Sequence, residues 1–442
     1  MLKDVFKEIL LEDALSTEET YFPRSLDYDI LPRKALVIMG VRRCGKTTFL
    51  KQIRDTLIKE KKLLPQSILY LNFSDERLLS PDLDLKASQL GVLLEAFFEL
   101  FPNAKKNTPL HIFLDEIQLI QGWELFVDRL IRTPNTFVYL TGSSSKLLST
   151  EIATQMRGRS IAYTLYPFSF LEYLNSKQIE SVIYTARNRA NIRVCFNRFL
   201  FEGGFPETFN QKHVTQNKIL QEYFEVLFLK DIIERHSPPN ISTVRAAYAL
   251  LFNSFGRLQS MNKLYNRIRS LSFPVEKSLV SEFFLWFQEC FALFAVPIFA
   301  ESINRQNQNP RKIYCIDTGL ASAVTAGSSQ NRGYLLENIV YLQLRMDEKK
   351  IRYYRTKKQQ EVDFIFENEK GNLELIQVCD NLSNPETKKR EVIGLETAMA
   401  ELRLKKGTIL TFDETEKINT KSGIVYVLPV WEFLLKKTTH KK

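Results

Sequence analysis

A glycine-rich stretch near the amino terminus carries the strongest chemical signal in the sequence. Gly40, Gly45, Lys46 and Thr47 have the spacing G-x-x-x-x-G-K-[ST] within ALVIMGVRRCGKTTFLKQI. The backbone N–H groups of such a loop, together with the start of the following helix, form a concave site for phosphates. The lysine supplies positive charge to the β- and γ-phosphates, and the hydroxyl supplies one ligand to Mg²⁺. The loop therefore predicts a nucleotide site.

The elements around this loop fit that interpretation. Residues 35–39 form a short apolar run, typical of a buried parallel strand, and helical periodicity begins at Thr48. A turn from strand to helix is the context that a phosphate loop requires. The residues predicted to bind the nucleotide are Gly40, Val41, Arg42, Arg43, Cys44, Gly45, Lys46, Thr47 and Thr48.

A second apolar run, LHIFLDEIQ at residues 110–118, ends in two adjacent carboxylates. A phosphate loop of this kind needs a carboxylate on a neighbouring strand for the metal ion, so Asp115 is predicted to hold Mg²⁺ together with Thr47. Glu116 is predicted to orient and deprotonate the attacking water. Adjacent carboxylates also occur at ordinary strand ends. Their pairing with the phosphate loop favours the catalytic interpretation.

Polar residues near two further strands extend the predicted site. The run FVYLTGSS, residues 137–144, ends in hydroxyl groups, and parallel strands bring their carboxyl ends to one edge of a sheet. Ser143 is therefore predicted to sense the γ-phosphate, although hydroxyls are also routine turn residues. Arg157 and Arg159 precede a fifth strand-like run, and either is predicted to stabilise transition-state charge on a nucleotide held by a neighbouring subunit.

The order of these motifs resembles a known family. GVRRCGKTT, IFLDEIQ, LTGSSSKLL, RGRS and YPFSFLEYL are followed by GGFPE, LKDIIER, IDTGL, LLENIVYLQL and YYRTKKQQEVDFIF. The succession covers nearly the whole chain. It is similar to AAA+ ATPases of the AAA-14 type, whose C-terminal half is the domain of unknown function DUF4143. The resemblance implies an α/β P-loop core with an additional strand in its parallel sheet, Mg-ATP as the ligand, ATP hydrolysis and assembly into a homo-oligomer.

Helical periodicity dominates the middle of the chain. Residues 171–235 predict a helical connection, and residues 242–297 predict two short helices and a longer one, which suits a winged helix. The third helix would enter a DNA major groove. Positive charge in this region comes from Lys263, Arg267, Arg269 and Lys277. Such units also serve as packing or protein-contact modules, so a protein partner stays open.

The C-terminal segment offers a second chemistry. RYYRTKKQQEVDFIF and NLELIQVC resemble the core hairpin of the PD-(D/E)xK nuclease fold, with Asp363 at the metal position and Gln377 and Cys379 in place of (E/Q)-x-K. Glu337 matches the carboxylate of the preceding helix. Cleavage needs metal-binding carboxylates and a lysine, whereas Cys379 carries no fixed positive charge and Gln377 is a weak metal ligand. We expect an inactive nuclease-like fold that can still bind DNA, since several basic clusters suit phosphates, although each cluster alone is more typical of a solvated surface. Those clusters are Lys357 and Lys358, Lys388 to Arg390, and the tail LLKKTTHKK.

Length and composition set the outer limits. The 442 residues predict about three domains. The predicted boundaries are 1–170 for the ATPase domain, 171–236 for the helical connection, 237–305 for the winged-helix-like domain and 306–442 for the nuclease-like domain. A net charge of +10 is a modest excess that favours nucleic acid without excluding an ordinary solvated surface.

The cysteines and the apolar segments bear on location. The five cysteines are scattered without C-x-x-C spacing, which argues against disulfides and zinc and favours a reducing, cytoplasmic setting. The most apolar region, residues 283–300, is interrupted by Gln288, Glu289 and Pro297 and is too short to span a membrane. The amphipathic first 19 residues lack the pattern of an export signal.

Two functions from different classes follow. The first is a nucleotide-driven switch or motor that acts on double-stranded DNA through its C-terminal half. The second is a signalling or scaffold protein that binds nucleotide, turns over slowly and contacts other proteins. An ATP-dependent nuclease is a minor third alternative, which Cys379 disfavours. Stimulation of turnover by DNA separates the first from the second.

Overall fold

The structure, a computed structural model, describes residues 2–15, 21–80, 83, 85–105, 109–143, 156, 158–325 and 332–436. The chain divides into two compact units, Met1–Leu165 (unit 1) and Tyr166–Lys442 (unit 2). In the part of the chain that the structure describes, no helix has the length and apolar character needed to cross a membrane.

A five-stranded parallel sheet forms the centre of unit 1. The strands are β1 (Ala35–Gly40), β2 (Ile68–Asn72), β3 (Leu110–Asp115), β4 (Thr136–Ser143) and β5 (Ser160–Thr164). The helices are α1 (Leu2–Leu15), α2 (Lys46–Lys61), α3 (Gly91–Leu100) and α4 (Trp123–Arg132). The strand order is β2-β3-β4-β1-β5, so β4 separates the strand before the phosphate loop from the strand that ends in Asp115. The α/β core with an additional strand is confirmed.

Apolar patterning explains why these elements form. Strand β1 is buried along its whole length, because a parallel sheet covered on both faces exposes neither side of its central strands. Helix α2 packs against β1, β3 and β4, and α4 packs against β4. The buried side chains of α4 recur at helical spacing and form one apolar face: Trp123, Phe126, Val127, Leu130 and Ile131.

Unit 2 begins with helices and a small antiparallel sheet. The helices are α5 (Phe170–Ser176), α6 (Ala186–Glu202), α7 (His213–Val226), α8 (Ile241–Phe252), α9 (Met261–Ser270), α10 (Lys277–Glu289) and α11 (Ile303–Gln308). The strands are β6 (Leu258–Gln259), β7 (Leu293–Val296) and β8 (Arg311–Cys315), in the order β6-β8-β7. A π-helical stretch, Leu227–Ile233, continues α7.

The pairing of β8 corrects one predicted boundary. A division at residues 305/306 would cut this sheet, because β8 pairs with both β6 and β7. The polar run at residues 302–312 has a composition that predicts a linker, but it contains α11 and the start of β8. Sequence patterning missed the strand because Lys312, a charged residue, is buried within it.

A six-stranded mixed sheet completes unit 2. Its strands are β9 (Arg352–Arg355), β10 (Glu361–Glu367), β11 (Leu373–Val378), β12 (Lys406–Thr411), β13 (Glu416–Asn419) and β14 (Ile424–Pro429). The accompanying helices are α12 (Thr318–Val324), α13 (Arg332–Met346), α14 (Pro385–Glu401) and α15 (Val430–Leu435). The hairpin of β10 and β11 is antiparallel, as the nuclease-like pattern predicts, whereas β11, β12 and β14 run parallel. Helix α14 packs on β10, β11 and β12.

Candidate functional site

The phosphate loop connects β1 to α2, and its two glycines are required by the backbone. A Cβ atom on Gly40 would lie 2.1 Å from the carbonyl oxygen of Leu165, so a larger residue would clash there. Gly45 precedes α2 with φ of 97°, a left-handed conformation that favours glycine. The loop therefore turns sharply into the first turn of the helix, as a phosphate site requires.

Lys46 lies inside this loop with its side chain almost fully buried. Its Nζ donates to the carbonyl oxygens of Gly40 and Val41, both at 3.1 Å. Among the described residues, the structure pairs Lys46 with no carboxylate. The positive charge is thus oriented by neutral carbonyl groups and is not neutralised.

The variable positions of the loop differ in exposure. Val41 and Cys44 are buried, Arg42 and Thr48 are half-buried, and Arg43 is exposed. Arg24, which sequence reasoning did not select, donates from Nη1 to the carbonyl oxygen of Cys44 at 2.8 Å. A residue far from the motif in sequence therefore contacts the loop.

Asp115 and Thr47 meet beside the loop. The Thr47 hydroxyl hydrogen-bonds to the fully buried Asp115 carboxylate, which also accepts from the Tyr70 hydroxyl at 3.1 Å and from the Thr141 hydroxyl. Burial raises the pKa of Asp115, and the hydrogen bonds from Thr141 and Thr47 oppose that rise. A hydroxyl and a carboxylate in contact are oxygen ligands of the kind that Mg²⁺ prefers, so the residues present fit this ion.

Glu116 is held at a fixed position next to Asp115. Its φ of 55° is uncommon for a residue with a side chain, and such conformations cluster at functional sites. Its backbone N–H donates to the Thr141 hydroxyl oxygen at 3.1 Å, and the Gln118 side-chain amide donates to its carboxylate. Thr141 therefore bonds to both members of the acidic pair. The run LTGSS gave a signal for Thr141, whereas nothing in the sequence singled out Tyr70.

Of the remaining predicted residues, Ser143 and Arg159 lie at opposite ends of the strands of the sheet. Ser143 pairs with Gly40 in the register of β4 and β1, next to the loop. Arg157 lies outside the described residues. Arg159 lies at the amino-terminal end of the strands, where its carbonyl oxygen accepts from the backbone N–H of Ala35 at the start of β1. Its guanidinium forms an ion pair with Asp128 on α4, so the structure does not bring Arg159 to the loop of its own chain.

The nuclease-like positions of unit 2 have partners that the sequence pattern did not predict. Asp363 and Glu337 meet at Lys312, a residue that sequence reasoning missed. Gln377 donates to Glu391 at 2.9 Å and accepts from the backbone N–H of Asp363 at 3.1 Å. Cys379 packs in the apolar core, where burial and nearby carboxylates raise its thiol pKa to about 12. It therefore stays a neutral thiol and does not replace a catalytic lysine.

Five basic residues in the described part of unit 2 differ in how their charge is compensated. Lys263, Arg267 and Arg269 are exposed on α9, and within the described ranges none of them has a carboxylate partner. Lys388 pairs with Glu416 at 2.6 Å and Arg245 pairs with Glu225 at 2.7 Å. Positive charge is therefore uncompensated on α9 and compensated at the latter two positions.

The third helix of this region differs from the sequence-based expectation. Three of the four basic residues lie on α9, the second helix, and only Lys277 begins α10. Helix α10 exposes Glu282 and Leu285, and its apolar face is buried. An exposed acidic residue does not suit a helix that enters the major groove.

Similarity to known proteins assigns the family. The model of AAA_14, an AAA domain, matches residues 32–174. Two domains of unknown function follow, DUF8612 at residues 195–331 and DUF4143 at residues 332–433. The Uncharacterized protein MJ1544 of Methanocaldococcus jannaschii is 33% identical, with 98% of this chain and 96% of that protein covered. The chain belongs to this family of AAA ATPases. The predicted AAA core followed by DUF4143 is confirmed.

Other similarities of this AAA ATPase are weaker. An uncharacterized protein of Haemophilus influenzae is 27% identical over 76% of this chain and 80% of that protein. The Aeropyrum pernix Orc1 protein, solved in complex with DNA, is 14% identical with a TM-score of 0.28 and covers 73% of this chain and 90% of that one. Caenorhabditis elegans PCH-2 is 13% identical with a TM-score of 0.26, over 54% and 60% of the two chains. TM-scores this low carry no inference about function.

Proposed function

We propose that this AAA ATPase hydrolyses ATP and uses the cycle as a switch or motor that acts on double-stranded DNA. The observation that supports hydrolysis most directly is the contact of Thr47 with Asp115, beside a buried Lys46 whose charge no described carboxylate neutralises. A bound phosphate would supply the negative charge that balances the Lys46 ammonium.

In this proposal the loop binds the phosphates before any chemistry takes place. Backbone N–H groups after Gly45 and the Lys46 ammonium contact phosphate oxygens, and the lysine exchanges its carbonyl acceptors for them. Thr47 and Asp115 hold Mg²⁺, which supplies charge neutralisation on the phosphates when it is bound. Ser143, whose backbone pairs with Gly40, senses the γ-phosphate.

Hydrolysis then depends on Glu116. A water attacks the γ-phosphorus, the bond from that phosphorus to the bridging oxygen breaks, and ADP leaves as the water's proton passes to the Glu116 carboxylate. The hydrogen bonds to Thr141 and from Gln118 fix the position of this residue. Either Arg159 or Arg157 acts on the nucleotide of a neighbouring subunit in a homo-oligomer. This agrees with the position of Arg159 beside the start of β1, away from the loop of its own chain.

The variant Glu116→Gln tests this assignment. We expect it to bind ATP as the wild type does and to lose turnover by roughly 10²- to 10⁴-fold, the usual contribution of a general base. Steady-state phosphate release and equilibrium nucleotide binding measure the two effects. Glu76→Gln, an exposed change in the same unit, serves as the matched control. Normal turnover in Glu116→Gln would contradict the assignment.

The exposed cations of α9 support DNA as the partner. Lys263, Arg267 and Arg269 present positive charge that no described carboxylate neutralises. Arg269 and Lys277 both lie over the Tyr265 ring, with the guanidinium carbon and Nζ 5.7 and 5.6 Å from its centroid. Cations arranged along one surface release counterions from DNA when they contact phosphates, so binding through them weakens with salt.

Two double variants of equal charge test the DNA surface. Lys263→Gln/Arg267→Gln removes two uncompensated cations, whereas Lys388→Gln/Arg245→Gln removes two cations in ion pairs. We expect the first to lower DNA-stimulated ATP turnover and to reduce the salt slope of DNA binding by about 2, since each cation that neutralises a phosphate adds about 1 to that slope. The second is expected to behave as the wild type. If both double variants weakened DNA binding equally, the overall charge of the protein, and not the surface of α9, would account for the binding.

A protein-binding switch is the second candidate, and the surface of α10 favours it. Leu285 is 53% exposed beside the exposed Glu282, which suits a protein partner better than a phosphate backbone. The ATPase rate of the wild type with and without double-stranded DNA at low salt separates the candidates. Several-fold stimulation that fades with salt supports the DNA-directed role, and an unchanged slow rate supports the protein-binding role.

A further inference from the structure

Four polar side chains of unit 2 converge in a cluster around the buried Lys312. Those of Glu337 and Asp363 are buried, whereas that of Glu361 is 31% exposed. The Lys312 Nζ lies 2.8 Å from Glu337 Oε1, 2.8 Å from Glu361 Oε1 and 2.6 Å from Asp363 Oδ1. The Lys312 side chain is only 3% exposed. In addition, the Tyr314 hydroxyl donates to Glu337 Oε1 at 2.7 Å. The ammonium group is therefore enclosed by carboxylate oxygens.

These groups come from three separate elements. Lys312 lies on β8, Glu337 on α13, and Glu361 and Asp363 on β10. Lys312 belongs to the segment that matches DUF8612, whereas the carboxylates belong to the segment that matches DUF4143. The cluster thus joins two family segments through one buried cation.

The position of the ammonium is the important feature. Glu337 and Asp363 are the two carboxylates that the nuclease-like pattern assigns to a metal ion, and Lys312 Nζ lies between them. With Lys312 present, no set of three Asp, Glu, His or Cys side chains in the described part of the chain is arranged to hold a metal. A divalent cation at the same position would be repelled by the positive charge of the Lys312 ammonium.

The charges of the cluster favour retention of this arrangement. A buried ammonium without partners would be unstable, and so would buried carboxylates without a cation. The three carboxylates raise the pKa of Lys312 well above its ordinary value, against the opposing effect of burial. The lysine thus keeps its proton and its charge.

We propose that Lys312 is a tethered cation that occupies the metal position of the nuclease-like centre and excludes divalent metal ions from it. The centre is then a closed ionic contact between β8, α13 and β10. Unit 2 uses its nuclease-like fold for binding and for holding its two family segments together, and it does not cleave DNA. This inference does not depend on the proposed ATP hydrolysis.

The double variant Lys312→Gln/Glu361→Gln tests the proposal on the full chain. It removes the ammonium together with one carboxylate, so the net charge of the fully ionised cluster stays the same while the central point becomes free. We expect this nucleotide-free variant to bind one Mn²⁺ that the wild type does not bind, as measured by calorimetric titration. Lys312→Arg, which keeps the cation, is the matched control and is expected to gain no site.

A second measurement locates the ion. Terbium(III) bound at Glu337 would accept excitation from Tyr314, whose hydroxyl contacts that carboxylate. We expect sensitised terbium emission from Lys312→Gln/Glu361→Gln that disappears when Asp363→Asn is added. Metal bound near Asp115 is common to all variants and is subtracted by this comparison.

Three outcomes would overturn the proposal. The first is Mn²⁺ binding by the wild type that Asp363→Asn removes, since the centre would then be open to metal. The second is a folded double variant without an additional site. The third applies if the double variant unfolds without metal: Mn²⁺ is then expected to restore its folding, and failure to do so would reject the metal position.

Discussion

The two units each contain a buried lysine, and they use it in opposite ways. Counted over the whole residue, Lys46 and Lys312 are 5% and 2% exposed. Lys46 donates to two backbone carbonyl oxygens of its own loop. Lys312 is surrounded by the carboxylates of Glu337, Glu361 and Asp363.

Charge compensation explains the difference. A lysine oriented by neutral carbonyls keeps an unbalanced positive charge, which a phosphate can neutralise on binding. A lysine surrounded by carboxylates is already neutralised, and any ligand would have to break several charged hydrogen bonds to reach it. The partners of a buried lysine, and not its burial, therefore decide whether it binds a ligand or stabilises the fold.

The largest expected effect is on the stability of unit 2. Lys312→Met leaves three acidic groups around a buried apolar side chain, and removal of one partner from a buried ion pair costs about 3–5 kcal/mol. Urea unfolding of the full chain is expected to show this decrease, with ATP affinity unchanged while the protein is folded. A variant as stable as the wild type would show that Lys312 contributes no net charge compensation.

The same substitution at Lys46 is expected to act mainly on ATP binding. Hydrogen bonds to charged groups contribute about 1.5–3 kcal/mol, so Lys46→Met should weaken ATP binding by roughly 10- to 100-fold or more. Its unfolding free energy should fall by less than that of Lys312→Met, because the acceptors that lose their donor are two neutral carbonyl oxygens and not three carboxylates. A matched decrease of stability in both methionine variants would remove the contrast between the two lysines.

A smaller effect is expected from pH. Burial and the charge of Glu337 raise the pKa of Asp363 above 3.8, against the opposing effect of Lys312, with Glu361 and Tyr314 also facing the cluster. A raised pKa in the folded state means that stability is lost as the pH rises from the ordinary aspartate value through the raised one. Thermal unfolding from pH 4 to 9 is expected to show a slope that is shallower in Asp363→Asn. An identical slope in both proteins would contradict the shift.

The smallest effect is expected at Tyr70. Tyr70→Phe removes one hydroxyl that donates to Asp115, a change of about 1 kcal/mol in unfolding free energy. Because Thr47 and Thr141 still bond to Asp115, ATP binding should persist. Abolished nucleotide binding in Tyr70→Phe would assign this tyrosine to the site itself.

The sequence predicted much of unit 1 because its chemistry is local. The phosphate loop occupies consecutive residues between a strand and a helix, and the spacing of Gly40, Gly45 and Lys46 records its geometry. Asp115 and Glu116 follow an apolar strand directly. The family assignment and the α/β sheet with its additional strand followed from the same motifs and are confirmed.

Unit 2 was harder to predict because its decisive residue appears ordinary in the sequence. Lys312 follows a polar run that resembles a linker, and no local pattern marks it as buried. The inactive character of the nuclease-like site, attributed from the sequence to Cys379, remains a prediction. The structure adds a different reason, a cation between Glu337 and Asp363.

The sequence by itself determined the nucleotide loop, the acidic pair and the fold class, since contiguous residues impose those features through backbone geometry and hydrophobic periodicity. Only the tertiary structure decided which charges are compensated. Arg24 reaches the loop, Thr141 bonds to the acidic pair, and Lys312 meets carboxylates from two other elements. The electrostatic energy of a buried charge depends on all the charged and polar groups within a few ångströms, and folding alone brings those groups together.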